Sequence, residues 1–66
     1  MKLSYDASVD ALYIKLNEGI HQVETKHVDE DIALDFDEED RLVGIEVLDA
    51  SKRLDLGALL PIAVKG

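Results

Sequence analysis

The run Ala11-Leu12-Tyr13-Ile14-Lys15-Leu16 decides the fold class. Leu12, Ile14 and Leu16 share one side of an extended chain, and Ala11, Tyr13 and Lys15 take the other, which is the period-two pattern of a strand with one face buried. Upstream, residues 2–5 make a shorter alternating run that ends at Asp6-Ala7-Ser8-Val9-Asp10, where Asp and Ser bond their own backbone in turns. Downstream, Asn17-Glu18-Gly19 is a turn signal, and two strands joined there would form a hairpin.

Residues 20–28 carry a weaker alternation with neither side clearly apolar, which suits an edge strand or one broken by a bulge. The signal returns at Ile32, Leu34 and Phe36, which alternate with Asp31, Ala33, Asp35 and Asp37 and place those acids toward solvent. A charged turn follows at 38–41. Residues 42–48 are apolar on both sides: Val43, Ile45 and Val47 on one, Leu42 and Leu48 on the other. Two-sided apolarity implies a central strand or a second covered face. Gly44 within it marks a bulge or the close approach of another element.

Asp49 reads as an N-cap for a short helix over 50–54, with Gly57 as its stop. The last stretch, Ala58-Leu59-Leu60-Pro61-Ile62-Ala63-Val64, is apolar. Pro61 lacks an amide proton, so this stretch is an edge strand or an extended tail. The expectation is one domain over 1–66 and a mainly β fold, α+β if the helix is counted. It is an antiparallel meander of four to five strands with a short helical segment after residue 49 and an apolar tail at 55–66.

Size and charge narrow the function. A chain of 66 residues buries only about 60% of the surface its unfolded form exposes. With no Cys, it has neither disulfides nor thiolate metal sites to compensate, so an efficient core or self-association must supply stability. Fifteen acidic against seven basic residues give a net charge of −8, which argues against nucleic acid and anionic membranes as partners. A small basic protein would suit that charge. No stretch approaches the roughly 20 apolar residues of a membrane span, and the N-terminus lacks the apolar segment of a signal peptide. The expected location is cytoplasmic.

Three groups of residues invite a chemical reading. Asp35, Asp37, Glu39 and Glu46 fall at the first, third, fifth and twelfth positions of a calcium loop, but the sixth, where glycine belongs, is Asp40, and the flanks have strand period. Alternation accounts for the same acids as solvent-facing residues. His21 and His27 lie on one face of a regular strand but about 20 Å apart, too far to share a metal. Asp6, Asp10 and Asp49 are candidates for an acid/base pair, yet turn and cap duty explains each. No nucleophile triad, glycine-rich phosphate loop or metal-binding helix pattern is present. No cofactor is expected, and the chain reads as a non-enzyme.

The strongest interaction signal is the tail, with Leu54, Leu56, Leu59, Leu60, Ile62 and Val64 and only Asp55 charged among them. Two roles stand open: it covers the sheet of its own chain, or it docks on a second copy or another protein.

Several stretches together resemble the domain of unknown function 2283 family of small prokaryotic proteins. They are Tyr5-Asp6 with Asp10-Ala11-Leu12-Tyr13-Ile14, Val28-Asp29-Glu30 before Ile32-Ala33-Leu34-Asp35, and Leu42-Val43-Gly44-Ile45-Glu46-Val47-Leu48-Asp49-Ala50-Ser51. The resemblance covers roughly residues 1 to 54 and leaves the tail largely outside. It implies no activity and supplies no catalytic residues. It does suggest an antitoxin-like context, because such proteins are often encoded beside small toxins. The expected function is a non-catalytic interaction module that forms a homo-oligomer, a dimer above all, or binds a small basic partner. The alternative is a small metal-binding or enzymatic domain using the acidic loop from Asp35 to Glu46.

Overall fold

The computed structural model describes residues 1–17, 19, 22–55 and 57. They form five antiparallel strands in one open sheet and one short helix: β1 Lys2–Asp6, β2 Ala11–Lys15, β3 Glu24–His27, β4 Ile32–Phe36, β5 Leu42–Val47 and α1 Ala50–Arg53. The fold class read from the sequence is therefore observed. The strand order is β1-β2-β5-β4-β3, so chain neighbours pair everywhere except between β2 and β3. The hairpin expected across residues 17–19 does not form: β2 pairs with β5, and β3 lies on the opposite edge.

The pattern of apolarity explains this order. β5 is apolar on both sides and takes the central position, whereas β3, polar and fully exposed, takes an edge. Between Asp35 and Phe36 the register slips by one, so that Asp35 faces Gly44 while Phe36 faces Leu42, a bulge on β5 at Val43.

The β1–β2, β3–β4 and β4–β5 turns are each tied by an aspartate. The Oδ1 of Asp6 accepts from the Ser8 amide at 3.0 Å and the Ser8 hydroxyl at 2.6 Å. That of Asp29 accepts from the amides of Asp31 and Ile32, and that of Asp37 from those of Glu39 and Arg41. Three other aspartates, Asp10, Asp40 and Asp49, adopt positive φ of 54°, 64° and 50°, which Asp tolerates better than most residues.

The apolar face carries the core. Leu12, Val47 and Ala50 are buried together, with Leu3, Tyr5, Ile14, Ile32, Ile45 and Leu54 packed against them. Helix α1 is a single turn that caps one end of this face through Ala50, which is 0% exposed. Its start departs from expectation. Asp49 occupies the N-cap position but is left-handed and makes no side-chain cap bond. Asp10 does that work instead: its carboxylate accepts from the amide of Ser51, forty-one positions away, at 3.1 Å and from the Ser51 hydroxyl at 2.7 Å. Its backbone carbonyl accepts from the Ala50 amide at 2.9 Å. The helix stops at Arg53, before the glycine expected to end it, because Leu54 turns extended to pack on the core.

Candidate functional site

The opposite, polar face of the sheet holds the groups with chemical capacity. Pairing lays them out in cross-strand rows. One row reads Ser4, Tyr13, Glu46, Ala33, His27, and the next reads Lys2, Lys15, Gly44, Asp35, Thr25. Tyr13 leans from the first row across the second. It can do so because Gly44, directly below, has no side chain: a Cβ there would stand 2.8 Å from Tyr13 Cζ and nearer still to its hydroxyl. The Tyr13 hydroxyl donates to Asp35 Oδ2 at 3.1 Å. From the other side, the Thr25 hydroxyl donates to Asp35 Oδ1 at 2.6 Å.

Asp35 is thus buried, 5% exposed, and not turned to solvent as alternation suggested. Burial is tolerated because both carboxylate oxygens are hydrogen-bonded. Asp37, also 5% exposed, corrects the same expectation for a different reason. Its Oδ1 is taken by two turn amides and its Oδ2 accepts from Arg41 Nε at 3.1 Å. These bonds, the Arg41 amide foremost, hold its carboxyl below the usual range.

This arrangement limits the chemistry open to the acidic loop. Asp40 does adopt the positive φ that a sixth-position glycine would supply. The acids nevertheless fail to converge: Asp35 closes the clasp with Tyr13 and Thr25, Asp37 organises the turn, and Glu39 pairs with Arg41. Among the described residues, no group of three His, Asp or Glu side chains is placed to hold a metal ion. The Tyr13–Asp35 pair is not set up as a base either. Burial first, and then the bond to Asp35, raise the Tyr13 pKa above its ordinary value, so the phenol is held as a neutral donor. Across Gly44 the clasp joins β2, β4 and β3, the last of which has no buried residue of its own.

Beside the clasp lies a groove of about 270 Å³ floored by Ala11 and walled by Ser4, Asp6, Tyr13, Glu46 and Leu48. It exists because Ala11 is the smallest side chain on that stretch of the face.

The sequence singled out other residues. Asp6 performs the turn duty expected of it, whereas Asp10 takes the capping of α1 expected of Asp49, which makes no side-chain cap bond. His27 is exposed on β3, opposite Ala33; His21 lies outside the described residues. Of the six tail residues, Leu54 packs against the core cluster, and Leu56, Leu59, Leu60, Ile62 and Val64 lie outside the described residues. Tyr13, Thr25 and Asp35 were not recognised as a unit. Parity put Tyr13 on the solvent side, and Gly44 announced a close approach, but only the register identifies Tyr13 as what approaches.

Among the described residues, no helix is long and apolar enough to cross a membrane. The fold and the polar clasp define a small one-sheet domain in which Asp10, Asp35 and Asp37 are bonded to internal partners. The family model "Protein of unknown function (DUF2283)" matches residues 2–51, more than two thirds of the chain, and the chain belongs to that family. The match spans β1 through the start of α1 and includes Tyr13, Thr25, Asp35 and Gly44. No curated protein and no solved structure matches the chain.

Proposed function

We propose that this domain is a non-catalytic protein-interaction module, acting in the cytoplasm, that self-associates through the apolar face of its sheet. The observation that supports this is that the described residues cover that face only in part. Leu12, Val43 and Val47 are buried, but Ile14, Ile32, Leu34, Phe36 and Ile45 remain part-exposed, and α1 covers one end only. A single sheet of this size needs a second layer to close its core. A second copy provides one of matching shape, since two apolar sheet faces pack about 10 Å apart. The β3 end of the face carries both Glu24 and Lys26, the latter 5.3 Å from the centre of the Phe36 ring. A two-fold interface can therefore set opposite charges against each other. The apolar residues at 54–64 belong to the same interface in this reading, as cover shared between copies.

Light scattering coupled to gel filtration tests this. The expected mass is that of a dimer, and a monomer across micromolar concentrations overturns the proposal. Truncation after Leu54 should lower solubility or change the oligomeric state; an unchanged, well-folded dimer would remove the tail from the interface.

The net charge of −8 supports a second occupant, a small basic protein, on the polar face. That is the occupant an antitoxin-like role would require. A metal or catalytic role for residues 35–46 has less support, since Asp35 and Asp37 are already committed to internal partners.

A further inference from the structure

We infer that the groove over Ala11 receives a long cationic side chain, lysine or arginine, from a basic partner laid across the polar face. This rests on the basic-partner reading above, not on self-association.

Three features of the groove match that occupant. Its lining is mostly apolar, with Ala11 as floor and Leu48 and Tyr13 beside it, which suits the aliphatic stem of a lysine or arginine. Leu48 is 49% exposed, so the stem would cover apolar surface that the described chain leaves open. The Tyr13 ring adds a face on which a cation is favourably placed.

The two charged walls are both acidic. Asp6 stands on β1 and Glu46 on β5, with Ala11 and Tyr13 of β2 between them. Asp6 uses Oδ1 for Ser8, and its Oδ2 takes no hydrogen bond among the described residues. Its carboxyl lies below the usual range because the Ser8 hydroxyl bonds it, so it is charged at neutral pH. Glu46 is half-buried in the ladder of β5, and its carboxylate makes no hydrogen bond or ion pair with the described residues. The basic groups of this face, Lys2 and Lys15, pair with each other in the row of Gly44, beyond Tyr13 from Ala11. The groove therefore combines an apolar lining with acids on two sides, a combination that favours a cation with a hydrocarbon stem over an anion or a purely apolar side chain.

The test is a nuclear magnetic resonance titration of the whole protein with the tripeptide acetyl-Ala-Arg-Ala-amide at millimolar concentration, beside the same peptide carrying neutral citrulline. The expected result is saturable movement of the Ala11, Leu48 and Tyr13 resonances, with citrulline binding about fivefold more weakly, the worth of one partly exposed ion pair. Ala11→Leu fills the floor and should abolish the movement; Glu46→Gln leaves the floor open and should weaken binding to a similar degree as citrulline. If the arginine peptide moves only resonances of the turn at residues 37–40, the groove assignment is overturned while the basic-partner reading stands. If neither that peptide nor polylysine moves any resonance, both are overturned. Equal binding of the arginine and citrulline peptides overturns the charge argument and with it the proposal.

Discussion

The phenol of Tyr13 occupies the space that the side chain of residue 44 would take. Gly44→Ala should therefore cost about 1–3 kcal/mol through overpacking and push the phenol off Asp35. In a Tyr13→Ser background, the same substitution should cost less than half as much, because the ring is gone. Urea unfolding of the four proteins measures the coupling. Equal costs in both backgrounds would mean that Gly44 serves some other purpose.

The chain has two tyrosines, and both ionise above the ordinary phenol value: Tyr5 through its bond to Asp10, Tyr13 through burial and its bond to Asp35. Folding thus favours the neutral phenols. The stability they lend is complete below about pH 10, the unfolded value, and falls as pH rises toward the folded values. Asp35→Asn should bring one phenolate transition back toward pH 10, and Asp10→Asn the other, as followed by ultraviolet absorbance. A variant that shifted both at once would contradict the separation of the two networks.

Asp10 is held below its usual range by Tyr5 first and Ser51 second. A depressed folded pKa gives stability that is present in full above the unfolded value near pH 4 and is lost as pH falls from there through the lower folded value. Protonation also relieves the repulsion behind the net charge of −8, so the test is comparative. Asp10→Asn should be less stable than the parent at pH 7, with the gap narrowing as pH falls below about 4 and Asp10 takes up its proton. A constant gap across that range would show that the charge of Asp10 is irrelevant to its capping of α1.

Leu12 is 1% exposed at the centre of the core cluster. Leu12→Ala should cost about 2–5 kcal/mol, enough to unfold a domain of this size at room temperature or nearly so. Circular dichroism on heating reads this directly, and a loss under about 1 kcal/mol would mean that the core lies elsewhere.

Asp40 has φ 64° in an exposed turn. Asp40→Gly should stabilise by about 0.5 kcal/mol, the left-handed strain relieved slightly exceeding glycine's extra freedom when unfolded. Asp40→Ala should destabilise instead. Denaturant midpoints of the two variants, one on each side of the parent, are the expected pattern.

Strand identity was legible in the sequence because the signal is local: Leu12, Ile14 and Leu16 alternate, and so do Ile32, Leu34 and Phe36, whatever their partners. The central place of β5 was legible too, from apolarity on both its sides. Pairing was not. The turn signal at residues 17–19 pointed to a β2–β3 hairpin, but β3 has no apolar side to offer β2, and Val43, Ile45 and Val47 do. The buried acids were missed for a related reason. Alternation assigns a face, not an environment, and Asp35 is buried on the polar face by Tyr13 and Thr25 from strands far apart in sequence. The capping of α1 by Asp10 lay equally out of reach, since Asp49 satisfied every local rule for that role.

The strand order also governs how the chain assembles in time. Tyr13 meets Glu46 across 33 positions (46 − 13), whereas the β1–β2, β3–β4 and β4–β5 pairs close through short turns. On a ribosome, β1–β2 and β3–β4 can form as separate hairpins while the segment that unites them is still being made. Until β5 emerges, β2 and β4 each present an open edge ready to pair with another chain. Closure across the long loop adds only a logarithmic entropy cost, but it is the non-local step on which the folding rate depends. The interval before that step is when the nascent chain is most exposed to misassembly.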